Sequence, residues 1–321
     1  MKRVFLTLLL FASMVSVATA QTELPEKDKD KAIFCFDVQF AKIRESKLTQ
    51  SVGKEMVDKI FKKRGLPALS IETCDRISGL VGTPHDRKEA IAMRSGPNFP
   101  FNILVEVQMV DAESAKAWLT GLDKNSSQVI DNVEYFNIPE KQNIICGITG
   151  KKNFVFGTKN YVLANSRKTL FSDRLNKAWT RRQANMPIRA SLDVLSSADY
   201  FTEYVKIGAR NHRWTIALLN GWINSLESLN FAVDLSGEEL LFLRGIGKSP
   251  TATEELRSDL NDMQTLFKNT STQTRKTTMV SEMLDEMSTS VAGREIDIVI
   301  GRPENLETII KEWIAGEAID R

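Results

Sequence analysis

The chain has 321 residues, and its 43 Lys and Arg nearly balance its 41 Asp and Glu, giving a formal net charge of +2. A nucleic-acid-binding protein would show a basic excess, and a disordered chain would be poor in apolar residues, whereas 42% of this chain is hydrophobic. The composition therefore excludes nucleic acid as an expected partner and predicts a folded chain with one large core or two smaller ones.

Residues 1–20 have the three parts of a secretory signal peptide. Lys2 and Arg3 form a positive start, residues 4–17 are apolar, and small residues precede a cleavage point between Ala20 and Gln21. The apolar run is shorter than the ~20 residues that span a bilayer, so we expect no integral membrane segment in the mature chain. The sequence predicts export to the periplasm or the outside of the cell, with residues 21–31 as a flexible, charged leader.

A first α+β half is predicted over residues 32–171. It begins with a strand over 32–40 and a helix capped by Ser46, whose apolar stripe runs through Leu48, Val52, Met56 and Ile60. Strands follow over 76–81 and 101–110, then a helix capped by Asp111, and then short strands near 135, 144–148 and 154–156. A helical stretch at 161–170 closes this half, and a polar helical connector covers residues 172–186.

A second half is predicted over residues 187–321. It begins with a strand over 188–194 and a helix capped by Ser197. Two strands then flank a tight reversal at residues 236–237, and a T-x-x-E capping box starts a helix at Thr251. A further helix is predicted through Met287, and the strand "EIDIVIG" leads to a last helix with Pro303 as its first residue.

The two halves contain similar units in the same order. "FCFDVQFAKIRESK" and "IRASLDVLSSADYF" each form a strand that ends in Asp-Val, at Asp37-Val38 and Asp193-Val194, and passes into a helix. Later strand and helix landmarks also recur, with loops of different lengths. We therefore predict an internal duplication and an α+β fold of two similar halves, each a mainly antiparallel sheet with helices packed on one face.

No catalytic, metal or cofactor motif stands out along the chain. "RGIGKS", at residues 244–249, has Phe242 where a phosphate loop requires its first glycine. The two histidines, His85 and His212, are not spaced as metal ligands, and no G-x-S-x-G elbow is present. We therefore expect no cofactor or metal and name no catalytic residue, although a Cys–His pair that meets only in space stays open.

Three cysteines, Cys35, Cys74 and Cys146, are too few for a disulfide framework. Cys35 and Cys146 lie in apolar, strand-like segments, where a cysteine is usually a small buried hydrophobe. A bridge between Cys35 and Cys74 stays open at this point.

Methionine and tryptophan supply the one candidate binding feature. Met279, Met283 and Met287 follow one another at i, i+4 and i+8, and Trp214 and Trp222 lie in a second apolar helical segment. Such a stripe can line a soft hydrophobic groove for a lipid-like ligand or a partner helix. The alternative is that these side chains form the ordinary core contact of helices with a sheet.

The chain resembles a group of uncharacterised exported bacterial proteins, abundant in Planctomycetes, that consist of two similar α+β halves behind a signal peptide. The segments "ISGLVGTP", "NFPFNILVEVQMVDAESAKAWL", "VFGTKNYV", "PIRASLDV" and "SLNFAVDLSGEELLFL" carry the resemblance, together with the cleavage region at Ala20 and Gln21. The resemblance implies the two-half architecture and export, and it brings no established activity or binding residues.

Three functions remain as hypotheses. We favour an exported, non-enzymatic protein that acts by binding or assembly with an unknown protein partner. The first alternative is a carrier of a hydrophobic small molecule or lipid, and a less favoured one is a hydrolase with dispersed site residues. Oligomeric state and the identity of the ligand or partner do not follow from the sequence.

Overall fold

A computed structural model describes residues 31–55, 71–84, 101–119, 127–138, 141–164, 170–175, 186–198, 221–269 and 285–308. The predicted signal peptide and residues 21–30 of the predicted leader, with Ala20 and Gln21, lie outside these residues. So do both histidines and three members of the predicted groove, Trp214, Met279 and Met283.

The strands of the described residues show two burial patterns. Some alternate between buried and half-buried side chains, as expected where a strand turns one side to each face of a sheet, and others are buried on both sides. In chain order they are β1 (Ala32–Gln39), β2 (Cys74–Pro84), β3 (Phe101–Met109), β4 (Ser127–Ile130), β5 (Val133–Ile138), β6 (Lys141–Ile148), β7 (Asn153–Thr158), β8 (Ile188–Asp193), β9 (Leu226–Val233), β10 (Glu239–Gly247), β11 (Met287–Ala292) and β12 (Glu295–Gly301). Each predicted strand overlaps one of these strands, and three of them end one residue earlier than predicted, whereas β11 lies where a helix was expected.

The twelve strands form one continuous sheet in the order β11-β12-β10-β9-β8-β1-β2-β3-β7-β6-β5-β4. Every pair of neighbours is antiparallel. The strands of the two predicted halves meet at the β1–β8 pair, where Cys35 lies opposite Ser191. The fold is thus a mixed α and β structure with one large antiparallel sheet, and the predicted separate sheets are joined edge to edge.

Helices are short in the first half of the described chain. They are α1 (Phe40–Glu45), α2 (Lys47–Val52), α3 (Ala112–Leu119) and α4 (Lys159–Val162). Two predicted caps are confirmed, because Thr49 N donates to Ser46 Oγ at 3.2 Å and Ser114 N donates to Asp111 Oδ1 at 2.7 Å. The predicted uninterrupted helix after Ser46 is wrong, since Gly53 ends α2 with a positive φ of 94°.

The longest helix described is α5 (Pro250–Asn269). Its predicted capping box at Thr251 is wrong, because the cap is Ser249, whose Oγ accepts a hydrogen bond from Ala252 N at 3.1 Å. Pro250 then takes the first helical position, where its missing N–H costs nothing.

Two further helix starts and one element type differ from the predictions. The turn after β8 begins at residue 194 and is capped by Asp193, not Ser197, since Ser196 N donates to Asp193 Oδ1 at 2.9 Å. The helical turn after β12 begins at residue 306 rather than at Pro303. Met287 is the first residue of β11, so the helical methionine stripe does not extend to it.

The sheet has two differently covered faces. We call face A the side that carries Phe34 and Phe36 of β1, and face B the side that carries Cys35 and Asp37. In the first half both faces are buried, face A in one large cluster that includes Val105 and face B in a second cluster. In the second half α5 packs on face A, where its Leu256 and Leu260 contact the strands near the β11 edge.

Candidate functional site

A buried carboxylate lies at the junction of the two halves. Asp37 is fully buried on face B of β1 and accepts hydrogen bonds from two arginines. Arg76 Nε of β2 donates to its Oδ1 at 2.6 Å, while Arg189 Nη2 of β8 donates to its Oδ2 at 2.8 Å. Gln39 Nε2 adds a longer contact at 3.2 Å. Because Asp37 and Arg189 lie in different predicted halves of the chain, this ion pair connects those halves across the β1–β8 pair.

The aspartate of the second Asp-Val pair is buried and bound in a similar way. Asp193 is also fully buried and receives Arg174 Nε at 2.9 Å and Ser172 Oγ at 2.8 Å. Its carboxylate additionally caps the turn at 194–198 through Ser196. Both aspartates are thus saturated by donors, as buried charges must be, and their arrangement indicates a structural role.

The thiols are unsuited to nucleophilic chemistry. Cys35, Cys74 and Cys146 are all free and buried. Burial raises the pKa of Cys35 far above its ordinary value and raises those of Cys74 and Cys146 to about 12, so all three stay protonated near neutral pH. Cys35 and Cys74 pack in different core clusters, on opposite faces of the sheet, which rules out the bridge left open above. Within the described residues no group of His, Cys, Asp and Glu is placed to hold a metal.

Two members of the predicted hydrophobic groove can be located. Met287 is buried in the core cluster beneath α5, and Trp222, in a helical turn at residues 221–225, packs against the same cluster. Both therefore contribute to one core cluster, but from a strand and a short turn rather than from facing helices.

An apolar strip on face A remains only half-buried. It consists of Ile188, Leu192, Leu229, Phe231 and Leu241, which we call the apolar seam. Cross-strand register makes them neighbours, since Leu192 lies opposite Leu229 and Ala190 lies opposite Phe231. Leu192 and Phe231 pack against both the first-half core and the core under α5, so the seam lies between the two.

The apolar seam could not be predicted from the sequence, for a physical reason. Its residues alternate along their strands as any sheet core does, and only the pairing of β8 with β9 and β1 places them side by side. The alternation in "RASLDV" and "LNFAVDL" was the available signal, but nothing local in those segments tells which apolar positions the helices leave uncovered.

Trp222 also carries the one buried polar side-chain atom of the described residues that finds no hydrogen-bond partner. Its Nε1 is inaccessible to solvent and donates to no described residue. An indole N–H normally finds an acceptor when buried. The apolar cluster around it, which includes Leu226, Leu256 and Val194, supplies none.

Two cavities border the described residues elsewhere. One, on face B, has a volume of about 150 Å³ and is lined by Cys35, Arg76, Glu106 and Phe171 among others. The other is an open depression of about 580 Å³ lined by Asn143, Thr158, Lys159, Asn160 and Leu163. The first is smaller than the ~300 Å³ of typical ligand pockets, and the second is open to solvent rather than enclosed.

The chain matches no protein-family model and no curated protein sequence. Solved structures with some similarity include crystal forms of TP0453. Form IV is 10% identical, with a TM-score of 0.40, covering 88% of this chain and 94% of that chain. Form III is 9% identical, with a TM-score of 0.39, covering 91% of this chain and 99% of that chain. A likeness at this level carries no inference about function.

None of the described helices is long and apolar enough to cross a membrane.

Proposed function

We propose that the protein is an exported binding protein without catalytic activity of its own, and that it makes its contact through the apolar seam. The signal-peptide pattern of residues 1–20 supports export. The sequence had left a hydrolase with a Cys–His pair open. The three thiols are buried and stay protonated, which argues against a cysteine hydrolase.

The observation that carries the proposal is a difference between two parts of the same sheet face. On face A of the first half, Ile103, Val105 and Phe156 are each at most 6% exposed. On face A of the second half, the seam residues remain half-buried although they are equally apolar. Apolar surface that stays partly accessible and is contiguous, rather than scattered, is characteristic of a binding surface.

We further propose that the two halves arose by duplication. The strand orders support this proposal, because β1-β2-β3-β7-β6 runs outward from the junction as β8-β9-β10-β12-β11 does on the other side. Asp37 and Asp193, each fully buried and each bound by an arginine, occupy matching positions in the two units.

A second candidate function is the carriage of a hydrophobic small molecule. The unpaired Nε1 of Trp222, in the cluster that borders the seam, favours it. The face B cavity is too small for an enclosed carrier site, and the larger depression near Asn160 is open to solvent. We therefore place such a ligand along the seam.

The test compares two substitutions that each put a carboxylate at an apolar position. Phe231→Glu changes the centre of the seam, while Val129→Glu changes a valine that is 71% exposed on β4, far along the sheet order from the seam. We expect wild type and Val129→Glu to enhance the fluorescence of the apolar dye N-phenyl-1-naphthylamine and Phe231→Glu to lose most of that enhancement.

Urea unfolding of each variant separates lost binding from lost folding, and the milder Leu192→Gln serves if Phe231→Glu does not fold. Absence of dye binding by the wild type, or equal binding by folded seam variants, would refute the proposed site. Envelope pull-downs and native mass spectrometry with organic extraction then ask whether the natural occupant is a protein or a small molecule.

A further inference from the structure

The small cavity on face B lies over two adjacent cross-strand rows of side chains. One row is polar, and its members lie opposite one another on β1, β2 and β3: Asp37, Ser78 and Glu106. The next row along the same three strands is apolar: Cys35, Leu80 and Leu104. Members of both rows line the cavity, together with Arg76 and Phe171. Because the rows are adjacent, one side of the cavity is polar and the other is apolar.

The polar side of the cavity presents hydrogen-bond donors. Arg76 Nε donates to Asp37 Oδ1 at 2.6 Å, which anchors the guanidinium beside the polar row. A guanidinium has further N–H donors on its two terminal nitrogens, and no described residue accepts from those of Arg76. The Ser78 hydroxyl likewise has no hydrogen-bond partner among the residues that the structure describes. A guanidinium fork next to a hydroxyl suits a carboxylate, because paired N–H groups bind its two oxygens.

The lining also contains a carboxylate, which restricts the charge of a ligand. Glu106 lies directly opposite Ser78, so a simple anion on this side would meet a like charge in the neighbouring position. Glu106 already has an interaction in the fold, but a carboxylate has several lone-pair positions and can accept a further donor. A ligand that carries both a carboxylate and an ammonium group therefore matches the charges of the lining better than an anion or a cation does.

The volume of the cavity limits the ligand to a small molecule. The volume is about 150 Å³. At ~30 Å³ for each water in the liquid, this is the space of roughly five waters, or of about eight non-hydrogen atoms bonded to one another. Cys35, Leu80 and Leu104 are each at most 5% exposed and supply an apolar wall. That wall suits a short aliphatic group and leaves no room for a long chain.

We propose that this cavity binds a free α-amino acid with a short aliphatic side chain. Its carboxylate accepts hydrogen bonds from Arg76 and Ser78, and its ammonium group donates to Glu106. The aliphatic group lies against Leu80 and Leu104. The cavity is on the opposite face of the sheet from the apolar seam, so this inference goes beyond the proposed function and does not depend on it.

The experiment is isothermal titration calorimetry, at two temperatures, with three ligands that share one branched carbon chain. They are L-valine, 3-methylbutanoate, which lacks the ammonium group, and 2-methylpropylamine, which lacks the carboxylate. We expect L-valine to bind wild type at least about tenfold more tightly than either analogue, the effect of one charge-assisted hydrogen bond. L-Tryptophan, which is too large for the cavity, should not bind.

Variants then locate the binding site. Glu106→Gln keeps the shape of the side chain and removes its charge, so it should weaken L-valine about tenfold and leave 3-methylbutanoate unaffected. Ser78→Ala should weaken both ligands. The matched control is Glu134→Gln, the same change at an exposed position of β5, which should bind L-valine as wild type does. Urea unfolding identifies any variant that has lost its fold, and Ser78→Ala serves if Glu106→Gln does not fold.

The outcomes separate this inference from the proposed function. Binding of L-valine that is equal in wild type and in the folded cavity variants overturns the assignment to this cavity, as does displacement of N-phenyl-1-naphthylamine by L-valine. Tighter binding of 3-methylbutanoate or 2-methylpropylamine than of L-valine overturns the class of ligand. Absence of L-valine binding at both temperatures overturns the inference while dye binding at the seam still stands. Loss of the seam proposal would in turn leave binding in the face B cavity intact.

Discussion

Replacement of Asp37 by alanine should be among the most destabilising single changes in the protein. The carboxylate is fully buried, and two arginines from different halves donate to it. Removing one partner of a buried ion pair leaves a charge without compensation and costs about 3–5 kcal/mol. The Arg189 side chain is only 18% exposed, so its charge would stay buried without a partner. Arg76 is 48% exposed, and water would replace the lost hydrogen bond to its guanidinium. We therefore expect a loss of about 3–4 kcal/mol.

The assay is urea unfolding followed by far-ultraviolet circular dichroism on residues 21–321. The matched control is Glu72→Ala, which removes the carboxylate of a pair with Lys54 in which both side chains are more than half exposed. Exposed pairs contribute about 0–1 kcal/mol, so this control should lie close to the wild type. A loss below ~1 kcal/mol for Asp37→Ala, or one no larger than that of the control, would refute the ion-pair argument.

A double-mutant cycle tests whether the pair joins the halves. Arg189→Ala should also destabilise the protein, but in the double variant the two losses should not add, because each single change removes the same contact. A coupling free energy above ~1 kcal/mol is expected for a hydrogen-bonded pair of this kind. Full additivity would mean that Asp37 stabilises only its own half through Arg76.

Three further predictions concern separate features of the fold. The hydrogen bond from Ser114 N–H lowers the pKa of Asp111. The Asp111 carboxylate therefore stabilises the fold fully above its unfolded pKa of ~3.9, and this stabilisation is lost as pH falls through the folded pKa. The difference in melting temperature between wild type and Asp111→Ala should shrink over the same pH range. Gly157→Ala should lower the free energy of unfolding by at least ~1–3 kcal/mol, because its new methyl group would overlap the Ile103 carbonyl. The control Gly150→Ala, whose methyl group would meet no atom nearer than 3.5 Å, should change it by under ~0.5 kcal/mol. Urea titrations measure both. The three thiols should resist Ellman's reagent in the folded protein at pH 8 and all react in urea; rapid labelling of the native protein would contradict their burial.

Local sequence signals predicted the elements well where one residue decides the geometry. Ser46 and Asp111 act as caps because their short polar side chains accept from backbone N–H groups two or three residues on. The cap of α5 was misplaced although its signal was present, since Ser249 before Pro250 satisfies the start of a helix better than Thr251 inside it.

β11 shows how a helical pattern can be overridden. Met287 continues an i, i+4 series, but the residues after it, "STSVAG", are small or β-branched and end in Gly293, which adopts a positive φ of 62°. Gly293 closes a tight turn between β11 and β12, and Met287 then pairs with Ile300 along the ladder. The favourable pairing with a strongly apolar strand outweighs helix periodicity, because methionine itself fits either structure.

The relation between the halves could be predicted only in part. The repeated Asp-Val segments indicated that β1 and β8 are similar strands, yet no local feature shows that they pair with each other. That pairing turns two expected sheets into one and brings Asp37 within reach of Arg189. It also places β8 and β9 next to the first-half core, and so creates the apolar seam.

The proposed duplication gives this seam a structural cause. After β3 the first half continues through the short α3 and two extra strands, β4 and β5, before β6 and β7, whereas after β10 the second half has the 20-residue α5 and only β11 and β12. α5 packs toward the β11 edge through Leu256 and Leu260 and leaves Leu192 and Phe231, nearer the junction, half-buried. The repeated features, the paired strands and the two buried aspartates, therefore maintain the fold. The proposed binding site arises where the halves differ, and substitutions that change binding without changing stability should cluster in the seam.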